Sequence, residues 1–165
     1  MKLSEVRFLD LGGPDKMEQA FRDGQGDYIH LQAPAPQQLE REGGGSIVAR
    51  VGEGLHPCAF SSVCGSAAFL DSPVAPAFLR AFGRAKTWVQ SAAPMSVAVA
   101  EHSYFPGISL PSLASSIQGY QDLGTWVGGT DIHPAEYEQT QAVFATVGSL
   151  LNRYPWERVC RRLVT

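Results

Sequence analysis

Between Pro134 and Arg153 the apolar residues fall on one stripe: Val143, Phe144, Val147, Leu150 and Leu151, with Tyr154 just beyond. That spacing follows the 3.6-residue helical period and predicts a helix over Pro134–Arg153. Asp131 and His133 are candidate caps, and Pro134 suits the first turn, where no N–H is needed. A stripe this wide predicts burial of Val143, Phe144, Val147 and Leu151. Pro155 ends the pattern, and Trp156–Leu163 reads as a last short helix.

The rest of the chain alternates between short periodic runs and glycine- or proline-rich breaks. Glu5–Leu11 reads as a strand, then Gly12-Gly13-Pro14 opens a helix carrying Met17, Ala20 and Phe21 on one face. Asp27–Gln32 alternates apolar and polar residues, as a half-buried strand does. Pro34–Gly45 reads as a mobile connector with a short helical turn near Gln37–Glu42. Ser46–Val51 reads as another strand, and residues 55–70 lean the same way. Pro73–Gln90 carries Phe78, Phe82, Ala85 and Val89 on a helical stripe. Met95–Tyr104 reads as the best strand, with Val97 and Val99 on one face. Pro106–Gly129 is loop-rich, with a candidate helix at Ser112–Leu123 and a candidate short strand at Thr125-Trp126-Val127. Together these predict one α+β domain over residues 1–165, a mostly antiparallel sheet of about 4–6 strands with helices on one face.

Composition narrows the function. The hydrophobic fraction is 44%, which excludes a wholly disordered chain, and the formal net charge of −3 speaks against general nucleic-acid binding. The N-terminal Met1-Lys2-Leu3-Ser4-Glu5-Val6-Arg7 is charged at once and no apolar signal core follows, so the expected compartment is the cytoplasm and no membrane contact is predicted. The three cysteines, Cys58, Cys64 and Cys160, predict free thiols rather than a disulfide framework. Arg153, Arg158, Arg161 and Arg162 crowd the C-terminus as a solvated basic helix end.

Motifs of catalysis are sparse. Cys58 followed by His102 on a later element resembles, in order, the papain-like cysteine peptidases and the NlpC/P60 hydrolases. The resemblance covers two positions and implies Cys58 as nucleophile and His102 as its base. His56-Pro57-Cys58-Ala59-Phe60 does not carry the compact motif of those enzymes. His56, Cys58, Cys64, His102 and His133 lack the paired spacing of a zinc site. Gly43-Gly44-Gly45-Ser46 precedes a strand rather than a helix, and Gly52-x-Gly54 is incomplete, so neither is a phosphate loop. No metal and no cofactor are predicted.

The reading that remains is a small binding protein. The segment Tyr104–Asp131 gathers aromatic residues among glycines, with Tyr120, Asp122, Trp126 and Asp131 as the candidate partner-binding residues. Tyr and Trp dominate interface energies, and the carboxylates favour a basic protein partner. An immunity or inhibitor protein that neutralises a toxin fits the size and charge. A Cys58/His102 hydrolase or toxin-type enzyme, and a structural or assembly subunit that forms a homo-oligomer, are the two alternatives.

Overall fold

A computed structural model describes residues Lys2–Leu163. It corrects the expected fold class: the chain is 53% helix, with no strand among the described residues, so there is no sheet for helices to cover. The helices are α1 (Pro14–Arg22), α2 (Ala35–Arg41), α3 (Ala67–Leu70), α4 (Val74–Ser91), α5 (Pro94–Glu101), α6 (Leu110–Asp122), α7 (Pro134–Thr146) and α8 (Trp156–Val159). They divide between two compact units. One holds the residues up to Val48 together with Met95–Ile117, the other Ala49–Pro94 and the residues from Gln118 onward.

In the first unit α1 begins at Pro14 as its sequence predicts, and Ala20 is its buried residue. Gly24 ends it in the left-handed region at φ +75°, with the Gln25 N–H donating to the Ala20 carbonyl. Such a turn favours glycine, because other residues rarely adopt a φ in that region. The expected connector Pro34–Gly45 is instead an anchored element. α2 buries Leu39, the Arg41 Nε donates to Ser112 Oγ at 3.2 Å, and the Ser109 N–H donates to Gln38 Oε1 at 3.0 Å. These bonds fix α2 to the start of α6, where Ser112, Leu113, Ser116 and Ile117 are buried.

Met95–Tyr104, expected as the best strand, is α5 followed by a 3-10 turn at His102–Tyr104. A run of valine and alanine carries the strand and the helix period at once, and Pro94 at its head favours the helix. The helix buries neighbours Val97 and Ala98 and leaves Val99 62% exposed. A strand would have put Val97 and Val99 on one face. The other expected strands, Glu5–Leu11, Asp27–Gln32 and Ser46–Val51, have no ladder partner among the described residues. Phe8, Tyr28 and Val48 in these segments are exposed, while Val6, Leu11, Ile29 and Leu31 are half-buried.

Glu101 closes α5, and burial pushes its carboxyl above the usual range. The folded state therefore holds its proton more tightly than the unfolded chain does. Stability from this group is fullest below the unfolded pKa and is lost as pH rises through the folded one. Glu101→Gln is expected to raise the urea midpoint at pH 7 and to leave it unchanged at pH 3.

In the second unit α3 packs on α4 through Phe69 and Phe78, edge to face at 6.1 Å between ring centroids, and Phe78 stacks on Phe82 at 6.3 Å. α3 lies where a strand was expected. Its start is capped by Ser66, whose Oγ accepts from the Phe69 N–H. α7 begins at Pro134 with His133 as N-cap, and the Glu136 carboxylate accepts from the His133 N–H at 3.0 Å. It ends at Thr146 rather than Arg153, because Gly148 turns the chain at φ +74°. The early stop overturns the expected burial of its stripe. Phe144 is 38% and Leu151 91% exposed, and Val147 is exposed as well. Phe144 has one aromatic cover, the parallel ring of Phe60 at 6.1 Å. α8 is tied to α7 through the Tyr137 hydroxyl, which donates to the Tyr154 carbonyl, and through Gln141, whose Oε1 accepts from the Tyr154 N–H. The Trp156 indole N–H donates to the Ile132 carbonyl.

Candidate functional site

The segment from Tyr120 to Asp131 belongs to the second unit and is held against α4 by three side chains. Gln121 Nε2 donates to the carbonyls of Val89 at 2.7 Å and Ala92 at 2.9 Å. Gln90 Nε2 donates back to the Gln121 carbonyl at 3.1 Å. These bonds answer carbonyls that the end of α4 cannot satisfy within the helix. Further along, Lys86 Nζ donates to the Gly129 carbonyl at 2.6 Å.

After α6 the chain reverses at Gly124, which takes φ +67°. The Thr125 N–H reaches back to the Tyr120 carbonyl and the Val127 N–H to that of Gly124. The expected strand Thr125–Val127 is thus a turn. It folds Trp126 over Tyr120, the rings tilted at 60° with centroids 5.5 Å apart. Both rings are half-buried, so each offers an edge while its neighbour holds it. Offset aromatic pairs in this range add about 0.5–1.5 kcal/mol beyond the area they bury.

The two carboxylates expected here are both paired. Asp122 accepts from Gln118 Nε2 at 2.8 Å and lies 3.7 Å from Arg50. Asp131 lies 3.8 Å from Arg162. All four charged groups are about half exposed, where such pairs contribute about 0–1 kcal/mol. The basic C-terminal residues are likewise engaged one by one. Arg153 lies 3.8 Å from Glu138 and Arg161 2.7 Å from Asp71. Arg158 sits over the Tyr154 ring, and Arg162 over that of Trp156.

A cleft of about 300 Å³ opens between α4 and the end of this segment. Arg80, Gly83, Thr87, Gly128, Gly129 and Thr130 line it. A Cβ at Gly83 would stand 3.3 Å from Thr130 Cγ2, so the glycine eases the close approach of the strap Gly128–Thr130 to α4. Sequence reasoning did not single out Arg80, Gly83, Lys86, Gln90 or Gln121. For the α4 residues the signal is helical spacing, which sets Arg80, Gly83 and Thr87 on one face.

Cys58 belongs to the second unit and His102 to the first. Next to Cys58, the Ala59 N–H donates to the Glu136 carbonyl. One ring nitrogen of His102 is 2.9 Å from the Ile108 carbonyl. Cys58, Cys64 and Cys160 are free thiols. Burial first, and Cys64 second, push the Cys160 thiol up. Burial, then Cys160 and Glu138, raise the Tyr137 hydroxyl. Among the described residues no three His, Cys, Asp or Glu side chains gather as a metal site would need. No helix among them is long and apolar enough to cross a membrane.

No family model matches the sequence, and no solved structure matches it. A curated protein of Bacillus subtilis (strain 168) does, at 23% identity over 145 residues, and it is named "Putative binding protein YtlA". The match takes in 87% of this chain and 43% of the relative, so the chain spans less than half of that protein's length. What the chain resembles, over most of its own length, is part of a protein named for binding.

Proposed function

We propose that the chain is a binding unit and that a protein partner docks on the segment Tyr120–Asp131, with Trp126 at the centre of the contact. The observation that carries this reading is the Tyr120–Trp126 pair, half-buried at 5.5 Å on a segment clamped by Gln121 and Lys86. Rigid aromatics lose little entropy on binding and supply most of the energy at interfaces. The likeness to a relative named for binding supports the same role in general terms. The ion pairs at Asp122 and Asp131 are long and half exposed. A partner's lysine or arginine can replace Arg50 or Arg162 there at small cost, which favours a basic partner. A toxin-neutralising protein is a narrower form of this reading, in which the basic partner is a toxin.

The test is affinity for a partner recovered on the immobilised chain. Trp126→Ala is expected to weaken that affinity by about 2 kcal/mol, roughly 30-fold. Asp122→Asn with Asp131→Asn is expected to slow association more than it hastens dissociation, and less so at high salt. Wild-type binding by both variants would place the contact elsewhere.

A further inference from the structure

The depression lined by Arg80 and the Gly128–Thr130 strap is a second site, at the Asp131 end of the docking segment. Arg80 enters no ion pair or side-chain hydrogen bond among the described residues. The cation next to the strap, Lys86, is already spent on the Gly129 carbonyl. That bond turns the Gly129 carbonyl toward α4. The N–H groups of Gly128, Gly129 and Thr130 have no acceptor among the described residues. Gly128 stands in the left-handed region at φ +89°. Successive backbone N–H groups near a left-handed residue can line a concavity that receives anions. The neighbouring acid, Asp131, has its carboxylate near Arg162, and no carboxylate lines the cleft. The Thr87 hydroxyl donates to the Gly83 carbonyl, which leaves its oxygen lone pairs as the cleft's weak acceptor.

We infer that this cleft binds a small oxyanion of the phosphate type, with Arg80 as its cation and the Gly128–Thr130 amides as its neutral donors. Arginine suits the role because its planar fork presents several donors to the oxygens of one anion. The depression holds about 300 Å³ and is open to solvent, room for a small tetrahedral ion. The group could arrive as the free inorganic ion or as the phosphoryl end of a larger molecule, and both share this chemistry.

The test is a titration of the 15N-labelled chain with inorganic phosphate at fixed ionic strength, followed by amide shifts. Saturable shifts confined to Gly128, Gly129, Thr130 and α4 around Arg80 are expected. Arg80→Ala should weaken phosphate binding at least tenfold, Arg80→Lys should lose less, and Arg84→Ala should bind as wild type. Unchanged far-UV circular dichroism keeps a loss from being one of folding. A parallel titration with glycerol phosphate separates the sources. Tighter binding than inorganic phosphate supports a phosphoryl end, and equal or weaker binding supports the free ion. Shifts that do not saturate, that centre on Arg153, Arg158 and Arg161, or that survive Arg80→Ala would overturn the site. Partner docking is read by Trp126→Ala, so failure here leaves that reading standing, and the reverse holds too.

Discussion

Leu113→Ala is expected to lower the unfolding free energy by about 2–5 kcal/mol, the range for truncating a fully buried leucine. Leu113 is 2% exposed in the first turn of α6. The other large buried side chains of its unit are Leu39, Val97 and Ile117. With so few, the site has little around it to collapse into the space, and the cost should fall in the upper half of the range. Ser112, beside it, holds Arg41 through its Oγ, so a shift of α6 also strains the bond to α2. Urea unfolding measures the effect as a lower midpoint. Leu151→Ala is the matched control: its side chain is 91% exposed, and it should stay within about 0.5 kcal/mol of wild type. Equal losses at the two positions would mean that the core is not where the helices place it.

Gln121→Ala has the second-largest expected effect, and its origin is polar. The amide closes two carbonyls at the end of α4. Removing it leaves the Val89 and Ala92 oxygens without a donor, at about 1–3 kcal/mol for each group that water cannot reach. The variant should unfold earlier and should also lose rigidity between Tyr120 and Asp131. Faster hydrogen exchange at the Gln90 and Thr125 amides reports the second effect. Gln121→Glu separates size from donation, because it keeps the shape and offers oxygen to oxygen; it should be at least as damaging as alanine. A Gln121→Glu protein as stable as wild type would remove the clamp from the account.

Several helix starts and one helical stripe were legible because their signals are local. Pro14 and Pro134 mark helix starts, His133 stands at its predicted cap, and the α4 stripe carries Phe78 and Phe82 in the spacing that stacks their rings. The expected sheet is absent for an equally local reason. Alternation in Asp27–Gln32 and Ser46–Val51 is a property of single segments, while a strand exists only by pairing with another. In Met95–Tyr104 the alternation of valine and alanine concealed a helix, since small apolar residues fit either period. Of the candidate site, Tyr120 and Trp126 were legible as large rings among glycines. Arg80 was not, because its meaning comes from Gly128–Thr130, some fifty positions away in sequence. Asp122 and Asp131 were visible as charges, but their arginine neighbours were not, because Arg50 and Arg162 reach them across the fold.

The uncovered stripe on α7 bears on how the protein behaves as a colloid. Phe60, Phe144, Val147 and Leu151 place exposed apolar side chains around the end of one helix, and patches of that kind are what molecules in concentrated solution stick by. Opposing them is a formal net charge of −3, a weak mutual repulsion for a chain of this size. Mild acid neutralises that charge, and salt shortens its range to about 8–10 Å near physiological strength. The material should therefore cloud on gentle acidification in salt well before it unfolds. A single Leu151→Lys substitution, which adds a charge where the stripe is most exposed, should clear it.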